Sequence, residues 1–329
     1  MVFCSIKTAS SGAWVKATAT VSAVLAGMLL SFASAANTHA ANPCDPALLT
    51  DIPARAATAA GGRAFAARVE TVSAGEREVA IADELLAGNL PPSLRHLAPI
   101  RLARTLRDGR NVPITVCVLP DYLAVGSDRD FLYVPMRVST ALLVGGDFGF
   151  TLPTAKIVDA IYAQSAAHLV PQPLPASDQM RSTDYYAHHN QLIGDQRLAR
   201  SLDLGVLTSG HKKDLVLTNR LWTYSDRVAI YGWHRADGSA IQPLSTVHGF
   251  RYADYSHGVR LVSTTVYVDG KPRPIFTVLA DPELAPALSD EGPIRRPSAL
   301  VAALASLHAD GIVPAAQSSA LRVTETAAQ

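Results

Sequence analysis

The chain has 329 residues, of which 48% are hydrophobic and 17% charged, so it can bury a sizeable core and is not disordered throughout. The formal net charge of +1 falls to about −1 once Lys7 and Lys16 leave with an N-terminal signal, since residues 1–35 contain no acid. So weak a charge provides no electrostatic footprint for DNA or RNA, and we expect no nucleic-acid partner.

Residues 1–35 have the three parts of a secretory signal peptide. Lys7 and Lys16 give it a basic start, an apolar run covers 17–32, and small residues at 33–35 form the exit. The alternative is a membrane anchor, but Ala, Ser and Thr dilute this run below the roughly 20 strongly apolar residues that a span needs. We therefore predict a secreted or periplasmic protein without a stable membrane span.

Cysteine usage fits the same compartment. Cys4 leaves with the signal, so Cys44 and Cys117 are the two thiols of the mature chain. An oxidising compartment favours a disulfide between them, which would fasten the N-terminal segment to the body of the protein. The alternative is that Cys117, inside the apolar run 114–119, is a buried and inert thiol.

The first half of the mature chain mixes helix and short strands. Residues 36–75 are Ala-rich without a sustained period and form a lead-in, whereas 76–88 have acids in the first turn and apolar residues on one face, which predicts a helix. The runs 114–119 and 131–134 are bounded by turn residues and predict a pair of strands. Between them, 120–123 is predicted to be an exposed turn.

A proline-rich connector separates the two halves. Thr154 can cap a helix that continues to Pro171, where proline ends it. The three prolines within 171–175 predict a polyproline-like segment because they cannot sustain helical hydrogen bonds.

The second half is dominated by strands. Asp237 and Gly238 predict a hairpin joining 227–235 to 240–244. A second Asp-Gly pair joins 261–268 to a strand that runs to Leu279, and its prolines place that strand at an edge. A final helix is predicted at 298–309.

These elements together predict an α+β protein, with an N-terminal helical and mixed part packed on an antiparallel, β-rich C-terminal part. The divisions are a signal peptide, an Ala-rich lead-in, a mixed helix and strand part, a β-rich part that carries the candidate site, and a flexible tail. They cover 1–35, 36–75, 76–175, 176–312 and 313–329, respectively.

Chemistry-bearing side chains concentrate in residues 248–260, which hold two imidazoles, a carboxylate, a hydroxyl and two guanidiniums between strands. Loops and strand ends are where proteins display reactive groups. The predicted catalytic residues are His248, Asp254, Ser256, His257 and, from an upstream turn, His211. His248 is the base or ligand and Asp254 orients it. Ser256 and His257 point apart on a strand, so His248 or His211 is the more plausible base for Ser256.

The predicted substrate-binding residues are Lys213, Arg260 and Tyr255. The turn 211–214 follows a glycine and carries cations, which suits an oxyanion or a substrate carboxylate. Arg260 is expected to hold substrate together with His211. The alternative is an ordinary charged turn ahead of a strand.

The pattern of 248–260 resembles the active-site strand of L,D-transpeptidases, in which His-Gly is followed by Ser-His-Gly-Cys-x-Arg. Here Ser256-His257-Gly258 is followed at once by Val259-Arg260, and the nucleophilic cysteine is absent. That family's mechanism is therefore not carried over. A broader resemblance, to a family of secreted bacterial proteins, implies secretion and no particular activity; its motifs are Asn89-Leu90-Pro91 with Ser93-Leu94-Arg95, Leu152-Pro153-Thr154 with Val158-Asp159, and Tyr255-Ser256-His257-Gly258.

Two hypotheses follow for the function. The first is a secreted hydrolase or transferase that acts on a cell-envelope or extracellular polymer, or on a small molecule, without a cofactor. The second is a non-catalytic extracellular or periplasmic binding protein in which the same residues form a structural polar network. Zinc is a rival use of His248, Asp254 and His257, whose mixed N and O ligands suit it, although their spacing matches no zinc signature.

Overall fold

In a computed structural model of the protein, the described residues are 43, 44 and 46–307, and all of them lie in one compact unit. The signal-peptide prediction for 1–35 and the tail prediction for 313–329 lie outside these residues. The fold is α+β, with helices mostly preceding a strand-rich C-terminal part, as predicted from the sequence.

The helices of the described chain are named α1 to α7. They are α1 Gly62–Arg68, α2 Ala74–Leu86, α3 Val138–Asp147, α4 Ala155–Gln164, α5 Thr183–Ala199, α6 Ile275–Ala280 and α7 Pro297–Ser306. Short 3₁₀ turns lie at Pro46–Leu49, Pro92–Arg95, Asp178–Arg181, Asn219–Trp222 and Ala285–Ala287.

The strands of the same residues are named β1 to β13. They are β1 Ala98–Thr105, β2 Asn111–Val118, β3 Ala124–Ser127, β4 Asp130–Tyr133, β5 Phe150–Thr151, β6 Ala167–His168, β7 Thr208–Ser209, β8 Lys213–Leu215, β9 Ile230–His234, β10 Ala240–Ser245, β11 His257–Gly258, β12 Val262–Val268 and β13 Lys271–Pro274.

Two larger sheets organise the body. The first has the order β1-β2-β12-β13, with β5 added to β12, and its pairings are antiparallel. The second has the order β10-β9-β8-β11, in which β8 and β11 run parallel. Because β2 pairs with β12, the two halves of the chain share one sheet and one hydrophobic core.

Cys44 and Cys117 meet as predicted. Their sulfur atoms lie 2.16 Å apart, at disulfide distance, and their Cα atoms 5.4 Å apart. Cys117 lies in β2 and is fully buried, so the contact ties the N-terminal end of the described chain to an interior strand.

Both runs predicted to be short strands lie in strands, but these two strands do not pair with each other. Residues 114–118 belong to β2, which pairs with β1 and β12, whereas 131–133 belong to β4, which pairs with β3 across a tight turn. The segment 120–123 was expected to be exposed, but it is buried. Distant polar side chains around Asp121 make this burial feasible, as described below.

The helix after Thr154 is shorter than predicted. Thr154 caps α4 by accepting a hydrogen bond from the Ile157 amide at 3.2 Å. The helix ends at Gln164, whose side chain exchanges two hydrogen bonds with the backbone of Arg101, and the chain then enters β6. The Ser165 hydroxyl donates to the Ile161 carbonyl and the Ala167 amide donates to the Leu207 carbonyl of another segment, so the chain leaves the helix before Pro171.

Two predictions in the second half also need correction. The strand after Asp269-Gly270 lies at a sheet edge, as predicted, but ends at Pro274 instead of continuing to Leu279. Helix α6 follows, because Ile275, Val278 and Leu279 have the spacing of one buried helical face. The second correction is helix α5, Thr183–Ala199, which lies where no helix is predicted.

Candidate functional site

The pairing of β8 with β11 divides the polar residues between two faces. His257 lies opposite Lys213 and Gly258 lies opposite Asp214. Because side chains alternate along a strand, His257 and Lys213 share one face, whereas Asp214 points to the other. Each face carries its own polar cluster.

The first cluster, called the Asp254 cluster, consists of His248, Tyr252, Asp254, Ser256 and His257. Oδ1 of Asp254 accepts hydrogen bonds from the Ser256 amide at 2.8 Å and the Ser256 hydroxyl at 2.6 Å. Oδ2 accepts one from the Tyr252 hydroxyl at 3.0 Å, and Nε2 of His257 lies 3.9 Å from it. The His248 ring stacks on Tyr252 with centroids 4.0 Å apart.

The titration shifts in this cluster favour a charged carboxylate beside neutral imidazoles. Burial raises the pKa of Asp254, but His257, the Ser256 hydrogen bonds and the charge of Lys213 outweigh it and leave the pKa below its ordinary value. Burial lowers the pKa of His257 to about 4 and also lowers that of His248. Both histidines are therefore neutral at pH 7.

Exposure differs sharply within the Asp254 cluster. Asp254, Ser256 and His257 are buried, whereas His248 and Tyr252 are half-buried and form its outer layer. Neither ring nitrogen of His257 has a hydrogen-bond partner among the described residues. The nitrogens of His248 likewise make no hydrogen bond there, so its imidazole is free to exchange a proton.

The second cluster, called the Asp121 cluster, is buried; it consists of Asp121, Tyr122, Tyr133, Arg197, His211, Asp214 and Arg260. Asp121 accepts hydrogen bonds from Arg197 and from the Tyr133 hydroxyl, the latter at 2.7 Å. Nε2 of His211 lies 3.2 Å from the same carboxylate. The Tyr122 hydroxyl donates to Asp214 at 2.8 Å.

The pKa values of the two carboxyl groups in the Asp121 cluster shift in opposite directions. Burial raises the pKa of Asp121, but Arg197, His211 and Arg260 outweigh it and hold the pKa well below the ordinary value. Burial raises the pKa of Asp214 to about 6, against the opposing charge of Arg260. The cluster is a compensated set of buried ions, a typical structural arrangement.

Lys212 lies between the two clusters. Its ammonium group is within 3.1 Å of Nδ1 of His189 and donates to the carbonyl of Tyr255 at 2.6 Å. Burial lowers the pKa of Lys212 to about 7, against the opposing charges of Asp254 and Asp121.

The structure brings together four of the five predicted catalytic residues: His248, Asp254, Ser256 and His257. His211 lies instead in the Asp121 cluster, and Ser256 makes its hydroxyl hydrogen bond to Asp254 and none to a histidine of the described chain. The predicted pairing of Ser256 with His248 or His211 is thus not seen.

The predicted substrate-binding residues are separated. Lys213 is half-buried beside the Asp254 cluster, with its ammonium group 4.8 Å from the centroid of the Trp233 ring. Arg260 is fully buried and donates to the carbonyls of Leu119 and Thr208, so the expected contact with substrate is not available to it. The Tyr255 ring is also buried, and its hydroxyl accepts from the Leu174 amide at 2.7 Å.

Several residues of the Asp121 cluster, and the neighbouring pair Lys212 and His189, were not found from the sequence. Lys212 and Asp214 were visible only as members of a charged turn, and Asp121 as part of a predicted surface turn. Arg197 and His189 lie on α5, whose polar composition hides its buried face. The histidine pair at 188 and 189 fits either a solvated segment or the wall of a groove; His189 is fully buried, whereas His188 lines a groove.

A separate groove of 710 Å³ lies between α1, the β3–β4 hairpin and α5. Tyr133 and Arg197, both members of the Asp121 cluster, contribute to its lining, together with Phe131 and Ile193. No member of the Asp254 cluster lines it. The volume is in the range of small-molecule sites.

Neither a group of side chains that could hold a metal ion nor a helix that could span a membrane is found among the described residues. They contain no group of three or more His, Cys, Asp or Glu side chains arranged to hold a metal ion, so His248, Asp254 and His257 do not form the zinc site considered above. None of the helices in this part of the chain combines the length and apolar character needed to cross a bilayer.

Comparison of the chain with protein-family models, with curated proteins and with solved structures finds no match.

Proposed function

We propose that the protein is a secreted hydrolase or transferase whose active site is the Asp254 cluster, and that it acts on a cell-envelope or extracellular polymer. The observation that carries this proposal is the buried imidazole of His257, which has no hydrogen-bond partner for either nitrogen among the described residues. Buried polar atoms are nearly always satisfied, so such a group calls for a water molecule or a ligand.

His248 is the proton-transferring residue in this proposal. Its pKa is lowered by burial, its nitrogens are unengaged within the described chain, and it is the most outward imidazole of the cluster. A neutral imidazole can take the proton of an attacking water or hydroxyl and return it to the leaving group. Asp254 and Tyr252 position it, since Tyr252 stacks on His248 and donates to Asp254.

The polymer substrate is supported by two sequence features. Residues 1–35 are typical of a secretory signal, and 248–260 resemble the active-site strand of L,D-transpeptidases. The thiol of that family has no counterpart here, so we propose activation of water or an acceptor hydroxyl in place of a covalent thioester.

The 710 Å³ groove favours a second candidate, a non-catalytic binding protein. In that case a ligand occupies the groove and the Asp254 cluster only stabilises the fold. The two candidates differ in whether the polymer is changed.

Incubation with peptidoglycan and polysaccharide panels separates the candidates when product release is measured beside retention of protein on the polymer. We expect soluble products from at least one polymer, and their loss in His248→Ala and His257→Ala variants that keep the wild-type circular dichroism spectrum. Lys271→Met, an exposed substitution on β13, is the matched control and retains full activity. Retention of protein without any product supports the binding protein.

A further inference from the structure

Two cations without an acidic partner flank the outer layer of the Asp254 cluster. Lys213 lies opposite His257 in the β8–β11 pairing. Arg181 is exposed, with its guanidinium carbon 5.9 Å from the centroid of the Tyr252 ring. Within the described residues, neither side chain makes an ion pair or a hydrogen bond; each is held only against an aromatic ring.

The buried carboxylate of Asp254 does not neutralise this pair of cations. Asp254 is buried, and its two oxygens already accept hydrogen bonds from Ser256 and Tyr252. It lies within the range at which its charge affects Lys213, but no ion pair forms. Two cations without an ion pair among the described residues therefore lie at the outer layer of the cluster, an arrangement that suits an anion.

The placement of Lys213 is also unfavourable for the stability of the fold. It is half-buried, and burial lowers its pKa from the ordinary value. Its ring partner Trp233 has a φ of 58°, a left-handed conformation that a bulky residue rarely adopts, and the indole N–H is buried without a partner in the described chain. Backbone strain of this kind concentrates where a protein binds a ligand or performs chemistry.

We propose that the substrate of the Asp254 cluster carries an anionic group, a carboxylate or a phosphate, and that Lys213 and Arg181 bind it beside His248. This proposal rests on the proposed function, because it takes the cluster as the active site. Arg181 supplies a planar fork for two oxygens and Lys213 a point charge. The bond that reacts then lies next to the anionic group, within reach of the imidazole.

Titration calorimetry tests the proposal with three trimeric probes: trigalacturonate, tripolyphosphate and neutral galactotriose. We expect at least one anionic trimer to bind more tightly than galactotriose, with an affinity that falls as NaCl is raised. Lys213→Met and Arg181→Met should each weaken that binding about tenfold. Lys271→Met should leave it unchanged. The carboxylate and phosphate arms distinguish the two sources of the charge.

Equal affinities for charged and neutral trimers, or an equal loss in Lys271→Met, would overturn the proposal. Arg181 is exposed, so its variant remains informative even where Lys213→Met fails to fold. If an anionic trimer binds in a way that depends on Lys213 but no polymer releases product, only the proposed function is contradicted. If His248-dependent product release occurs from a neutral polymer and neither anionic trimer binds, the proposed function stands and only the proposal of an anionic substrate is contradicted.

Discussion

Lys213 lies directly opposite His257 where β8 runs parallel to β11. This register explains why residues adjacent in sequence serve different clusters: Lys213 faces the Asp254 cluster, whereas Asp214 binds Tyr122 in the Asp121 cluster. Next to this register, the Tyr122 ring and the Lys212 side chain pack closely on Gly258. The following predictions test that arrangement.

Gly258→Ala should destabilise the fold by about 1–3 kcal/mol. A Cβ at this position would lie 2.6 Å from Cδ1 of Tyr122 and 2.7 Å from Cβ of Lys212, closer than real Cβ contacts. Urea unfolding measures the change. Gly194→Ala is the control, because a Cβ there meets nothing within 4 Å and alanine favours the α5 helix. Equal stability of Gly258→Ala and wild type would show that Tyr122 and Lys212 can move to make room for the added methyl group.

The free energy of unfolding should rise with pH between about 7 and 10. Burial lowers the pKa of Lys212 to about 7 in the folded protein, whereas the unfolded chain keeps its proton up to about 10.5. The unfolded state therefore binds more protons in this window, and raising the pH removes that advantage. Urea midpoints at pH 7, 8.5 and 10 should show a smaller slope for Lys212→Met than for wild type. An unchanged slope would mean that Lys212 stays charged.

Asp121→Asn should cost about 3–5 kcal/mol of unfolding free energy, because it leaves buried cations without their carboxylate. Arg197 is the main cation concerned, and Arg260 lies within 4.0 Å of the same group. Chemical denaturation at neutral pH checks the loss. Asp108→Asn, on an exposed turn, should leave the unfolding midpoint where it is. A loss no larger than in that control would mean that the cluster is open to water.

Loss of the Cys44–Cys117 pair should lower stability by roughly 2–4 kcal/mol. The two residues are 73 positions apart, so their bond restricts a long loop in the unfolded chain. Denatured, unreduced mature protein should show no titratable thiol, and Cys44→Ser/Cys117→Ala should unfold like the reduced wild type. Two free thiols in the unreduced protein would contradict the bond.

Local patterns predicted much of the secondary structure. The capping residue Thr154 and both Asp-Gly turns lie where expected, because each acts on its immediate neighbours. The wrong predictions concern polar residues whose hydrogen-bond or ion-pair partners lie far away in the sequence. Asp121 follows a proline and has the pattern of an exposed turn, yet Arg197, 76 positions later, makes its burial possible. Helix α5 was missed because its buried face includes His189 and Arg197.

The sequence predicted most residues of the candidate site, but not that some of them belong to a second, separate cluster. His248, Asp254, Ser256 and His257 lie within ten residues, so a local turn is enough to bring them together. His211 and Arg260 were grouped with them by residue type alone. Their partners Asp121, Leu119 and Thr208 lie 50 or more positions away, so no local pattern marks these contacts.

The rate of product release by His248→Gln, relative to wild type on the same polymer, tests the central claim most directly. Glutamine keeps a polar side chain of similar reach but cannot exchange a proton near pH 7. The account predicts a fall of about 100-fold or more, with little change in the concentration needed for half-maximal rate and an unchanged urea midpoint. A folded His248→Gln variant that releases product within twofold of the wild-type rate would contradict it.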